Sequence, residues 1–143
     1  MHGMGSILDD VASLVSSILP EYAVVLRHMH RTVRVSKPTA IISLTDESLR
    51  PLTLGYTHIY SEQTVRVMLV RSSAGEGVLS AVSKVRSDAS RLTESLRVNP
   101  WIGTGMLAYV ESVEHGETLV MPGYVVAELM LRIHRLMPVE RIP

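Results

Sequence analysis

The chain has 143 residues, 46% of them hydrophobic, no cysteine, and a formal net charge of zero from 14 basic and 14 acidic side chains. That length can bury a core without metal or disulfide staples and reads as one domain, residues 1–143. The missing cysteines exclude thiolate zinc sites, disulfide frameworks and cysteine nucleophiles, and the balanced charge argues against gripping nucleic acid through its phosphates.

No apolar run approaches the roughly 20 residues that span a bilayer, and no basic segment followed by an apolar one opens the chain. Neither a membrane partner nor a signal peptide is therefore expected. Phenylalanine is absent and there are eight methionines, so methionine is expected to fill core gaps that aromatics usually fill.

Ser6 reads as the N-cap of a first helix, with Asp9 and Asp10 in its opening turn and Ile7, Val11, Leu14 and Ile18 as its apolar stripe. Pro20 ends it. From Tyr22 the pattern turns to β: Ala23–Leu26 is an apolar run, Val33 and Val35 continue it, and Lys37-Pro38 breaks it. Thr39–Leu44 is a second strand, rich in β-branched residues. Asp46–Gly55, with Pro51, reads as a long loop. Thr57–Arg71 is a long third strand, with Val65, Val67 and Leu69 on one face and Arg66, Met68 and Val70 on the other.

After a turn at Ser72–Gly77, the apolar positions Val78, Val82, Val85, Ala89, Leu92 and Leu96 step by four and three along a second helix. Pro100 disfavours helical geometry at Asn99 and ends the helix. The corner Trp101-Ile102-Gly103-Thr104-Gly105 leads into a closing hairpin: Met106–Val113 pairs with Thr118–Leu136 across Glu114-His115-Gly116-Glu117, and Pro122-Gly123 interrupts the second arm. The expected fold class is α+β, a four- to five-stranded antiparallel sheet packed by two helices in the order α-β-β-β-α-β-β.

The chemistry-bearing residues are sparse. His28 and His30 point to one strand face and could begin a metal site if His58 or His134 joined them, but two half-exposed histidines beside Arg27 and Arg31 are the weightier reading. Asp46-Glu47 could be paired carboxylates for acid–base work, though a polar loop solvates them. Gly75-Glu76-Gly77 precedes a helix N-terminus but lacks the lysine and glycine spacing of a phosphate loop. No catalytic residue, metal or cofactor is expected. Glu128 stands in an otherwise apolar strand and needs a partner, either Arg132 or an arginine of another chain. It lies on a solvated edge, faces a subunit neighbour, or does chemistry. Glu128, Arg132 and Arg66 are the candidate subunit-interface residues.

Taken together, the Ile7–Ile18 helix, Pro38-Thr39-Ala40-Ile41-Ile42 entering a strand, the strand Val65–Val70, the helix Val78–Leu96 and the corner Asn99–Gly105 before a hairpin resemble the tail terminator (tail completion) proteins of long-tailed bacteriophages. The resemblance is of pattern, and it covers nearly the whole chain. It implies a structural protein with no catalytic residues. Its partners would be copies of itself in a ring, usually a hexamer, the tail tube protein and the head–tail connector. DNA could pass through the ring without sequence-specific binding. The place would be the tail or neck of the virion, after assembly in the host cytoplasm. The segment Asp46–Gly55, with Leu49, Arg50, Leu52 and Leu54, is the candidate tube or connector contact, because a solvated loop does not require such leucines. The alternatives are another head–tail connector, a minor tail tube protein, or a small α+β ligand-binding or hydrolase-like domain with a polar pocket around Glu128, His28 and His30.

Overall fold

The computed structural model describes residues 4–26, 37–51, 58–74, 77–102, 106–114 and 123–138, with side chains described for all of these except 4–6, 47–51, 58–60 and 136–138. In chain order the elements are α1 (Met4–Ile18), β1 (Ala23–Leu26), β2 (Thr39–Pro51), β3 (His58–Ser72), α2 (Val78–Val98), β4 (Trp101–Ile102), β5 (Met106–Glu114) and β6 (Tyr124–Pro138). The class is α+β with two helices, as the sequence implies. The sheet has six strands in the order β1-β2-β3-β6-β5-β4.

Two features of that sheet correct the expectation. It is mixed, because β1 runs parallel to β2, with Ala23 opposite Thr39 and Leu26 opposite Ile42. Ala23 N–H donates to the Pro38 carbonyl at 2.9 Å, which seats β1 against the entry to β2. Second, the corner after α2 holds a short strand: Trp101 pairs with Leu107 and Ile102 with Met106. Every other strand pair is antiparallel.

The predicted loop Asp46–Gly55 is corrected too. Its first half continues β2, which pairs with β3 out to Pro51 opposite Ile59, past a bulge between Leu44 and Asp46. The bulge admits one extra residue and lets a polar, turn-like sequence remain in the ladder. Proline at 51 is tolerated because it ends the strand.

α1 begins at Met4, so Ser6 lies inside the helix rather than capping it, and no acidic residue falls in the first turn. Its buried residues are Ile7, Leu8, Val11 and Val15, a stripe of three- and four-residue steps that Leu19 continues just past the helix end, while Leu14 and Ile18 sit at its margin. α2 ends as the sequence predicts: Asn99 is extended at φ −136° and its N–H donates to Ser95 O at 2.9 Å. Its buried face is Ala81, Val85, Asp88, Ala89, Leu92 and Leu96. Val78 is exposed and Val82 only half-buried, so the face is rotated from the predicted one. Gly77 precedes it at φ +87°, a conformation that glycine adopts without strain.

Both helices pack on one face of the sheet. α2 lies over β6, β3 and β5, and α1 over β1 and β2 while also reaching β4 at the opposite edge, so the sheet curls around the helices. The core joins the helix stripes to Val65, Val67 and Leu69 of β3 and Leu129, Leu131 and Ile133 of β6. Burying a side chain of this size stabilises the fold by about 1.5–3 kcal/mol before the entropy of ordering it is subtracted.

Candidate functional site: the outer face of the sheet

The second face of the sheet carries neither helix, and among the described residues no other element lies across it. β2, β3 and β6, at 13, 15 and 15 residues, give it length. Period-two alternation divides β3 cleanly: Ser61, Gln63, Val65, Val67 and Leu69 are buried beneath the helices, while Glu62, Thr64, Arg66 and Met68 face outward and are half-buried.

Along the strands the outer face has three zones. At the end near the start of β6, Ile41, Val70 and Val126 form a small apolar cluster with Met68 and Tyr124 packed against it. In the middle are charges. Arg66 Nε lies 3.2 Å from Glu128 Oε1, a diagonal pair across β3 and β6. Arg132 reaches Glu62 on β3 on one side, and on the other it grips Glu111 on β5 in a fork, with Nε to Oε2 at 3.2 Å and the terminal nitrogen to Oε1 at 2.9 Å. The hydrogen bonds that the guanidinium donates to Glu111 and then to Glu62 raise its pKa above its ordinary value. At the far end the rings of Tyr109 and His134 stack at 5.4 Å and 13°. The register places Trp101, 60% exposed, opposite Leu107, itself opposite His134.

The three candidate interface residues thus share one face. Arg132 is not the partner of Glu128, however. Strand period puts both on the same side, but four residues separate them, and each finds a partner on a neighbouring strand instead. Leu49 and Arg50 lie in β2 opposite Ser61 and Tyr60, not in a loop. Leu52 and Leu54 lie outside the described residues, as do His28, His30, Gly75, Glu76 and the predicted turn residues His115-Gly116-Glu117. His58 is in β3 opposite Pro138, far in register from His134, which stands opposite Glu62. Asp46 and Glu47 are strand residues opposite Thr64 and Gln63. Among the described residues no group of three His, Cys, Asp or Glu side chains could hold a metal ion.

A network the sequence reading missed lies on the other side of the sheet. The Tyr22 hydroxyl donates to Asp88 Oδ2 at 2.5 Å, and Arg71 Nε reaches the same oxygen at 3.0 Å and the Tyr22 oxygen at 3.1 Å. Asp88 is 5% exposed. Burial first, then the bond to Asp88, pushes the Tyr22 phenol well above the ordinary tyrosine pKa. Burial opposes the charge on Arg71, yet Tyr22 and Asp88 outweigh it and its pKa rises. Arg91 extends the network to Glu21 at 3.0 Å and to the Ile18 carbonyl at 2.8 Å, tying the end of α1 to α2. The signal was an acid at position 88 in step with Ala81, Val85, Leu92 and Leu96. This is a structural lock: its groups satisfy one another and leave nothing aimed at a substrate.

An open groove lies between the end of α1 and the second half of α2, lined by residues such as Ile18, Ser87, Ser90, Arg91, Glu94 and Val98. Arg91, the charge in its middle, is held by Glu21 and Ile18. No helix among the described residues is long and apolar enough to cross a membrane. The chain matches no known family's sequence model, and no curated protein is significantly similar to it.

Proposed function

We propose that this protein is a structural tail terminator of a long-tailed bacteriophage. In this reading copies of the chain close into a ring, a hexamer in the usual form, that caps the tail tube, stops its polymerisation and offers the head connector a docking surface. The single observation that carries the reading is the outer face, over which no described element lies, with its ion pairs and the exposed Trp101 and Tyr109. A face of that composition on a chain with zero net charge suits association with protein, since aromatic and arginine side chains dominate interface energies. The layout of a helix delivered through Asn99-Pro100 into the β5–β6 pair agrees with the resemblance in the sequence.

The extended β2–β3 pair refines the tube contact. Its register runs to Pro51 opposite Ile59, where β6 also pairs with β3, so the contact surface would be the end of a three-stranded stretch that includes Leu49 and Arg50 rather than a free loop.

The test is the mass of the purified protein in solution, alone and with tail tubes. The reading expects a closed oligomer of fixed size that binds tube ends. A monomer at every concentration, inert toward tubes, contradicts it.

A further inference from the structure

The chain is neutral as a whole, but its charge is not evenly spread. Among the residues whose side chains the structure describes, the outer face of the sheet carries Asp46, Glu62, Glu111, Glu114 and Glu128 against Arg66 and Arg132, five acids to two bases. On the opposite side of the molecule, the outward surface of α2 carries Lys84, Arg86, Arg91 and Arg97 against Glu94, four bases to one acid. Internal ion pairs such as Arg97–Glu94 do not change either sum. Counting Glu21 beside Arg91 still leaves the α2 surface positive. The exposed Asp9 belongs to α1, which confines the basic surface to α2.

α2 exposes Leu79 (87%) at its start and Val98 (74%) at its end. At 1.5 Å per residue these lie roughly 28 Å apart, with the basic residues between them. On the sheet, the stacked rings of Tyr109 and His134 lie at one end of the acidic stretch, and the cluster of Ile41, Val70 and Val126 at the other end is already buried in the single chain.

We infer that the outer sheet face of one copy takes the α2 surface of the next copy, in a head-to-tail contact. The occupant is a second copy of this chain. The two surfaces differ and lie on opposite sides of one protomer, so the contact is heterologous: each copy gives one surface and receives the other, and the series closes into a ring when the rotation per step divides a full turn. A face with excess acid repels its own image, which disfavours a two-fold, sheet-on-sheet dimer. The inference rests on the ring reading above and adds its interface. The basic stretch of α2, with the exposed Leu79 and Val98 at its ends, meets the acids of the next copy.

Charge swapping tests it. Lys84→Glu with Arg97→Glu inverts the α2 surface, and Glu111→Lys with Glu114→Lys inverts the sheet face. All four residues are exposed, so circular dichroism should stay that of the wild type. Measured by light scattering, each two-site variant should dissociate at least about tenfold more readily than the wild type. The chain carrying all four changes should assemble again. Leu79→Asp, an exposed change that adds no cation, should weaken assembly independently. Two-site variants or Leu79→Asp that assemble like the wild type would overturn this contact and leave the ring reading standing. So would a four-site chain that stays dissociated. A wild type that is monomeric throughout would overturn both.

Discussion

Tyr22 and Asp88 lie 66 positions apart in the chain and meet in a 2.5 Å hydrogen bond beneath α2, with Arg71 of β3 against both. The Arg71 guanidinium also sits 5.3 Å from the Tyr22 ring centre. Three segments that share no local sequence are held together by one carboxylate: the approach to β1, the end of β3 and the middle of α2. Because the same α2 carries the basic surface and the same β3 carries Glu62 and Arg66, this lock sets where the two proposed association surfaces stand relative to each other.

Tyr22 gives the lock a pH signature. Its folded-state pKa is raised above the unfolded value of about 10. The folded state therefore keeps a proton that the unfolded state loses, and stability is fully present below pH of about 10 and falls as pH rises beyond it. Tyr22→Phe should remove that alkaline slope. Urea midpoints of the two proteins between pH 8 and 11 check it: parallel curves would mean that the phenol is not held neutral by the fold.

Asp88→Ala leaves the half-buried Arg71 without its carboxylate. Breaking a buried pair by removing one partner costs about 3 kcal/mol or somewhat more, so the denaturation midpoint should fall clearly. Asp88→Asn keeps the shape and one acceptor and should cost less. Equal losses in the two variants would assign the effect to volume rather than charge.

Leu92 is fully buried between α2 and the sheet. Leu92→Ala should cost roughly 2–5 kcal/mol through lost burial and the cavity left behind. Equilibrium unfolding measures it, and a loss under about half a kcal/mol would mean that this face of α2 is not the one in the core.

Much of this architecture was legible in the sequence. The step of four and three from Val85 to Leu96, the proline at 100 and the alternation at 65–70 located α2, its end and the two faces of β3, because each is a local periodicity. What was not legible depends on pairing. The parallel direction of β1 is set by where the chain returns, not by Ala23–Leu26 themselves. The strand at Asp46–Pro51 is held by cross-strand hydrogen bonds to β3 and admitted by a bulge, while its own composition is that of a loop. Glu128 was rightly singled out as a carboxylate needing an arginine. Its partner is Arg66 because the neighbouring strand, not the same one, lies within reach.

That correction changes how a charge reversal at 128 is read. Glu128→Arg sets two guanidinium groups together within one chain, so it should destabilise the monomer by up to about 1 kcal/mol as well as disturb any interface. Adding Arg66→Glu restores opposite signs and should recover most of that loss. A double variant no more stable than Glu128→Arg alone would show that the diagonal pair is not energetically coupled.

The central claim is that this chain ends a tail. Its most direct test is electron microscopy of tail tubes grown from purified tube subunits of the same phage, with and without this protein. The account predicts ring-shaped density on one end of each tube and growth that halts at the length reached when the protein is added. Tubes that keep elongating at the same rate, with bare ends, would contradict it.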